Sequence, residues 1–251
     1  MAIVEVELRG AVRHVRLNRP EKRNAINPEM IALLTDAFTA PPASGERVVL
    51  IEAEGTVFSA GLDLRERDGS ADGIKPLEHM LHAIETYPLP VVAAVQGAAI
   101  AGGNELALHC DLVVASTAAK FGMSPAQIGL APSWFLCKKL QEVAGPVATR
   151  RILLLGDPLS AQEIFDLGII SHIAAPEKLQ STVEAIVGRL AANAPLSLRA
   201  LKAVLVRQMT FRDTIPHEDI DAELGRVRES ADAREGIAAF LERRKPDFKE
   251  C

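Results

Sequence analysis

Aromatic residues make up only 4% of the 251 residues, with a single tryptophan and a single tyrosine. So few flat side chains indicate neither a base-stacking platform nor an aromatic cage around a cation. Cysteine is equally sparse. Cys110, Cys137 and Cys251 are far apart, odd in number and contain no CxxC pair. That pattern argues against a disulfide framework or a structural metal and fits a reduced, cytoplasmic setting. Basic charge is also short: 28 Lys and Arg stand against 33 Asp and Glu, for a formal charge of −5. The positive residues are scattered and form no stripe, so a nucleic-acid partner is not expected. No apolar run approaches the roughly 20 residues of a membrane span. The opening MAIVEVELRG alternates apolar and charged residues, which reads as a first strand and not as a secretory leader.

What the chain does have is length and apolar content, 48% hydrophobic, enough for one domain with a substantial core or a core plus an appendage. Ile3 to Leu8 and Val12 to Leu17 alternate around Arg9-Gly10 and predict an antiparallel hairpin. Asn27-Pro28 predicts a helix start, with Met30, Leu33, Leu34, Ala37 and Phe38 as its buried stripe. VVLIEAEG (48–55) reads as a buried strand, and Glu66 to Lys75 as a mobile loop in which Glu66 and Asp68 are solvated. A helix is expected over Pro76 to Tyr87, a strand over VVAAVQG (91–97), a short helix from Gly103 to about Cys110, and a strand over LVVAS (112–116). Ser160-Ala161-Gln162-Glu163 is a capping box and Gly168 closes its helix. A last strand is expected near Ile169 to Ile173, and beyond Val183 the pattern is almost wholly helical. Strands alternating with helices predict an α/β core over residues 1–190. The amphipathic tail, 191–251, has to pack on this subunit or on a neighbour.

Two Gly-rich turns follow strands: FSAGLDL (58–64) and AIAGGNEL (99–106). Glycine lets a ligand approach the backbone closely, and unpaired N–H groups at a helix start attract negative charge. Two such turns aimed at one carbonyl oxygen would stabilise an enolate or a tetrahedral oxyanion, each donor worth about 3 kcal/mol of barrier. Local sequence alone favours a plain turn as the reading of each. Neither turn has the spacing of a nucleotide phosphate loop.

The order and spacing of LNRPEKRNAI (17–26), FSAGLDL, VVAAVQGAAIAGGNELALHCDLVVAS (91–116) and KFGMSPAQIGLAPSW (120–134) resemble the enoyl-CoA hydratase/isomerase, or crotonase, family. AREGIAAFLERRKPDF (233–248) is similar to that family's closing helix. The resemblance spans nearly the whole chain. It implies a spiral of ββα units, a C-terminal helical trimerisation region, a trimer or dimer of trimers, and acyl-CoA thioesters as ligands. Coenzyme A then arrives as part of the substrate, and no separate cofactor is implied.

Carried over by position, the oxyanion donors are the backbone N–H groups of Leu62 and Gly102, with Asp63 in the same turn. Ala60 falls near the adenine. Lys22 and Arg23 fall where the family approaches the pantetheine and phosphates, though a solvated turn explains them as well. Phe240 and Arg243 match positions that reach a neighbouring subunit's CoA; burial within the tail is the other reading of Phe240. Glu105 matches the first family glutamate. It stands three residues after Gly102, where it is either the catalytic base or a helix-start cap. The second family glutamate falls on Ala126, which has no proton to give. Where some family isomerases and a dehalogenase carry Asp or Glu, this chain has Ser133, a poor nucleophile without an adjacent base. Trp134 is a candidate wall of the acyl pocket or an ordinary core residue.

His109, four residues after Glu105, shares its helix face. It either pairs with the glutamate or is a satisfied buried histidine. His79 and His82 stand one turn apart on the helix after the loop, either in the pocket or exposed. Two classes of function remain. One is an acyl-CoA enzyme with Glu105 as single acid/base, for which isomerisation is easier to write than hydration, with decarboxylation or thioester hydrolysis open on the same scaffold. The other is an acyl-CoA-binding protein that kept the pocket and lost the chemistry. Glu105 favours the first; Ala126 and Ser133 favour the second.

Overall fold

The computed structural model describes residues 2–66, 73–210 and 214–249. Its elements in chain order are β1 (Val4–Arg9), β2 (Val12–Leu17), α1 (Pro28–Thr39), β3 (Val48–Ala53), α2 (Lys75–Thr86), β4 (Val91–Val95), β5 (Ala99–Ile100), α3 (Gly102–Leu108), β6 (Leu112–Ser116), β7 (Lys120–Gly122), α4 (Trp134–Arg150), β8 (Leu159–Ser160), α5 (Ala161–Asp166), β9 (His172–Ala174), α6 (Leu179–Ala192), α7 (Pro195–Met209), α8 (Glu218–Glu229) and α9 (Ala231–Glu242). The larger sheet runs β1-β2-β3-β4-β6-β9, nearly in chain order, and a second runs β5-β7-β8. After the antiparallel β1-β2 hairpin, every pairing in the larger sheet is parallel. In β4-β5-α3 and β6-β7-α4 the chain lays a strand in the first sheet, a short one in the second and then a helix, so ββα units stack as a spiral.

Both faces of the larger sheet are covered at β3, β4 and β6, which is why these strands read as apolar runs. In β3, Val49 and Ile51 face the main core while Val48 and Leu50 face a smaller one; in β4, Val91, Ala93 and Val95 divide in the same way from Val92 and Ala94. The main core also takes Met30, Leu34 and Phe38 of α1 and Leu77, Met80, Leu81 and Ile84 of α2. The smaller core is closed by Val183 and Val187 of α6. Each such valine is worth about 1.5–3 kcal/mol when fully buried. α6 therefore belongs to the sheet, whereas α7 leaves Leu196, Leu201, Val204 and Leu205 more than half exposed.

Local sequence accounts for the helix starts. Asn27 Oδ1 accepts from the Met30 N–H at 3.0 Å with Pro28 at the first helical position. Ser160 and Glu163 close a capping box before α5. α4 bends at Gly145-Pro146, where Gly145 leaves helical backbone geometry at φ 68, ψ 170. The last strand, expected near 169–173, lies at His172–Ala174.

Candidate active site

The two Gly-rich turns are brought side by side by a backbone bridge at Ser59, and the buried side chains of Asn24 and Ser59 anchor the first of them to the 19–24 segment. Asn24 is fully buried, with its backbone left-handed at φ 51. Its Oδ1 accepts from the Arg19 N–H at 2.8 Å, and its Nδ2 donates to the carbonyls of Glu54 and Val57, both at 2.8 Å. Ser59 Oγ donates to the Asn24 carbonyl at 2.8 Å and accepts from the Gly61 N–H at 3.2 Å. The Ser59 N–H donates to Ala98 O and its own carbonyl accepts from Ile100 N–H, a parallel bridge between the turns. Only a glycine fits opposite that bridge: a Cβ on Gly103 would lie 2.5 Å from the Ser59 carbonyl oxygen.

A second parallel bridge joins Ile26 and Leu62, in which Ile26 N–H donates to Gly61 O and Asp63 N–H to Ile26 O. The N–H of Leu62 therefore faces the other way, and among the described residues it donates to no protein acceptor. Gly102 opens α3, where a helix leaves its N–H groups unpaired. The two amides are neighbours. A Cβ on Gly61 would lie 3.1 Å from Gly102 N, and one on Gly102 would lie 3.4 Å from Leu62 N. Gly61 reaches this approach at φ +88, open to glycine at little cost. Ala101 is held at φ 47, ψ −117, a strained geometry for a residue with a Cβ, worth about 1–3 kcal/mol. Its N–H donates to Gly122 O at 2.7 Å and its carbonyl accepts from Glu105 N–H at 3.0 Å, so it is clamped on both sides.

Glu105 lies on the first turn of α3 with no exposed surface, and neither carboxyl oxygen has a hydrogen-bond partner among the described residues. Burial pushes its pKa up to about 8, with Lys139 pulling the other way. The carboxyl therefore holds its proton near neutral pH. His109 is equally buried and is pushed down to about 4 by burial and by Lys139, against Glu85. Its neutral ring carries the proton on Nδ1, since that nitrogen lies 2.8 Å from the Glu105 carbonyl oxygen, which can only accept. Glu105 Oε2 is 3.9 Å from the same nitrogen, too far for a formed hydrogen bond. Nε2 has no partner among the described residues, so His109 is not a fully satisfied buried histidine there. Cys137 nearby is raised to about 11 by burial and by Glu105.

The other expected site residues fall in three groups. Lys22 and Arg23 are exposed on a tight turn at Pro20–Lys22, and the Arg23 carbonyl accepts from the Ala60 N–H at 3.0 Å. This basic turn therefore abuts the one that carries Leu62. Asp63 is committed within the fold: Arg19 Nη1 donates to Oδ2 at 2.8 Å and the Arg65 N–H to Oδ1 at 3.2 Å. Burial would raise its pKa, but these bonds hold it below the ordinary value. Glu66, expected to be solvated, accepts from Arg19 Nη2 at 2.7 Å and from Asn27 Nδ2 at 2.9 Å. Asp68 and most of the expected 66–75 loop lie outside the described residues.

Ala126 is exposed in a tight turn at Pro125–Ile128, and no residue from 124 to 128 carries a carboxylate. Ser133 caps α4, its Oγ accepting from the Leu136 N–H at 3.3 Å, which explains a serine there without chemistry. Trp134 is half-buried and stacks on His217 at 4.7 Å, so it is not a core tryptophan. Phe240 is 55% exposed, against the reading that buried it in the tail, and Arg243 is exposed at the end of α9.

His79 and His82 line a cleft of about 370 Å³ between α2, α4 and α7, together with Glu85, Phe135 and Lys138. Phe135 forms its inner wall. One face of that ring stacks on His109 at 5.2 Å, and His82 meets it edge-on at 6.4 Å. Glu85 is paired to Lys139 Nζ at 2.6 Å. Asn24 and Ser59, which lie within the quoted motifs, and Phe135, Lys139 and Glu85 were not singled out from the sequence. Their roles come from contacts 26 to 54 residues away along the chain that no local pattern encodes.

The chain matches the model of the enoyl-CoA hydratase/isomerase family over residues 7–251. It is 33% identical to a crotonyl-CoA hydratase of Syntrophomonas wolfei, covering 98% of this chain and 96% of that one. It is 31% identical to a 1,2-epoxyphenylacetyl-CoA isomerase of Escherichia coli, covering 99% and 98%. Among solved structures, a methylmalonyl-CoA decarboxylase complexed with 2S-carboxypropyl-CoA superposes with a TM-score of 0.94 at 26% identity, over 100% of this chain and 99% of that one.

Proposed function

Since the chain belongs to the enoyl-CoA hydratase/isomerase family and is an enzyme of crotonase fold, we propose that it moves a proton on an acyl-CoA with Glu105 as its single acid/base. The N–H groups of Leu62 and Gly102 bind the thioester oxygen. As a proton leaves C2, the electron pair moves onto that oxygen, and two donors already in place stabilise the enolate without reorganising. The observation that carries this reading is Glu105 itself, buried, unbonded at both oxygens and adjacent to Gly102. No residue from 124 to 128 carries a carboxylate, so the second family glutamate that would hold an attacking water has no counterpart there. Double-bond isomerisation needs none: Glu105 takes a proton from C2 of a 3-enoyl thioester and returns it at C4.

A second reading rests on the same carboxyl. With a pKa of about 8, Glu105 is protonated at neutral pH and suited to donate. In a decarboxylation, loss of CO₂ creates the enolate and Glu105 then protonates C2. The superposition on methylmalonyl-CoA decarboxylase supports this reading too. The two separate by pH. Isomerisation by a base rises as pH passes about 8, whereas decarboxylation by an acid falls there.

Turnover of 3-enoyl-CoA, crotonyl-CoA and methylmalonyl-CoA tests the proposal. Isomerisation should dominate, and Glu105→Gln should lower it by about 10² to 10⁴ while CoA-thioester affinity stays within a few-fold. Fast hydration of crotonyl-CoA by the natural protein would contradict the single-carboxylate reading. The exposed leucines of α7, with Val147, Leu154, Leu155 and Phe240, support a trimer or dimer of trimers. A monomer by light scattering at micromolar concentration would remove that part.

A further inference from the structure

We propose that His109 is a positioning residue for Glu105, its Nδ1–H moving from the Glu105 backbone carbonyl to the Glu105 carboxylate whenever the carboxyl is ionised. This inference rests on Glu105 being the acid/base. The geometry leaves the ring proton free to move. The Glu105 carbonyl already accepts the His109 backbone N–H at 3.0 Å, so the helix end stays satisfied without the ring. The ring proton is thus a second donor to an acceptor that has one already, at 2.8 Å, with Oε2 waiting at 3.9 Å. A small tilt of the imidazole exchanges one for the other. Phe135 stacks on the ring nearly parallel, at 15°, so such a tilt slides along the stack and keeps it.

The exchange favours one protonation state. A neutral carboxyl accepts weakly and gives the ring little reason to leave the carbonyl. A carboxylate accepts strongly, and Glu105 has no other partner for its oxygens among the described residues. His109 is itself neutral in the range where Glu105 titrates, so it acts as a dipole and not as a counter-charge. The other ionisable groups acting on the pair are Lys139 and Cys137 of α4 and Glu85 and His82 of α2. Lys139, held in an ion pair with Glu85 at 2.6 Å, is the one of these charges that favours the ionised Glu105 carboxyl. The remaining preference for an ionised, correctly aimed base comes from His109.

The test is the titration of the Glu105 carboxyl carbon by ¹³C NMR on the full chain, assigned with Glu105→Gln. His109→Leu fills the volume and removes the donor; His109→Asn keeps an N–H where Nδ1 stands. Expected is an upward shift of about one pH unit for His109→Leu, tenfold in the ionisation constant, and a shift below about 0.3 unit for His109→Asn. The acid limb of kcat/KM should move in parallel, because it reports the free enzyme's base. Equal titration in His109→Leu and the natural protein would overturn the inference while leaving Glu105 as the base. So would an equal upward shift in both variants, which would mark burial and packing as the cause. Full turnover by Glu105→Gln would overturn the base reading and this inference together.

Discussion

Replacing Glu105 by glutamine should make the protein more stable at alkaline pH and abolish one part of its pH dependence. Folding carries this carboxyl from an ordinary pKa of 4.5 up to about 8 through burial. Between those values the native state holds a proton that the unfolded chain releases. Stability therefore falls as pH rises through this window and levels off above about 8. At 1.36 kcal/mol per unit, the full span is worth about 5 kcal/mol. His109 acts with the opposite sign. Burial lowers it from 6.5 to about 4, so its contribution is present above 6.5 and lost as pH falls through the folded value. The two slopes oppose each other between about 4.5 and 6.5, and from 6.5 to 8 that of Glu105 stands alone, worth about 2 kcal/mol. Thermal unfolding followed by circular dichroism at fixed protein concentration reads it directly. From pH 6.5 to pH 9 the natural protein should lose about 4–8 °C of Tm through this group, and Glu105→Gln should lack that loss. Parallel slopes in the two proteins would refute the reasoning, because they would mean that Glu105 is already ionised at neutral pH.

Asn24→Ala removes three hydrogen bonds from a fully buried position and should cost about 3 kcal/mol in denaturant unfolding. Gly103→Ala places a Cβ against the Ser59 carbonyl and should cost at least about 3 kcal/mol by the same measurement, with turnover falling as the two turns part. Ala126→Glu should leave the unfolding midpoint within about 0.5 kcal/mol, since the position is exposed. If that position can supply the missing carboxylate, the same variant should raise crotonyl-CoA hydration by about tenfold, short of the 10² to 10⁴ that a well-placed acid supplies. Loss of the enoyl thioester absorbance measures it.

The parts of this fold written in local chemistry were legible in the sequence. The β1-β2 hairpin, the Asn27-Pro28 start of α1, the Ser160 capping box and α2 fall within a residue or two of their expected places. The second sheet was not legible, because β5, β7 and β8 are two or three residues long and carry too few side chains to show a period. The site divides in the same way. The two Gly-rich turns and Glu105 stand out as motifs. That Asn24 and Ser59 anchor the first turn depends on contacts 30 to 35 residues apart, and that Phe135 backs His109 depends on a stack between α4 and the end of α3. Glu66 is exposed, as expected of a solvated residue, but its pairing with Arg19, 47 residues upstream, carries no local signal.

The bridges at Ser59 and Ile26 have a consequence for hydrogen exchange. The amides of Ile26, Ser59, Asp63, Ile100, Ala101 and Glu105 are all bonded within the frame, so they exchange only when it opens. Those of Leu62 and Gly102 sit among them with no protein acceptor among the described residues. In the free protein they should be two fast-exchanging sites inside a slow-exchanging neighbourhood. If these two amides bind the thioester oxygen as proposed, the arrival of an acyl thioester should slow them far more than their neighbours. The pair thereby becomes a local sensor of occupancy, readable before any substrate has been identified.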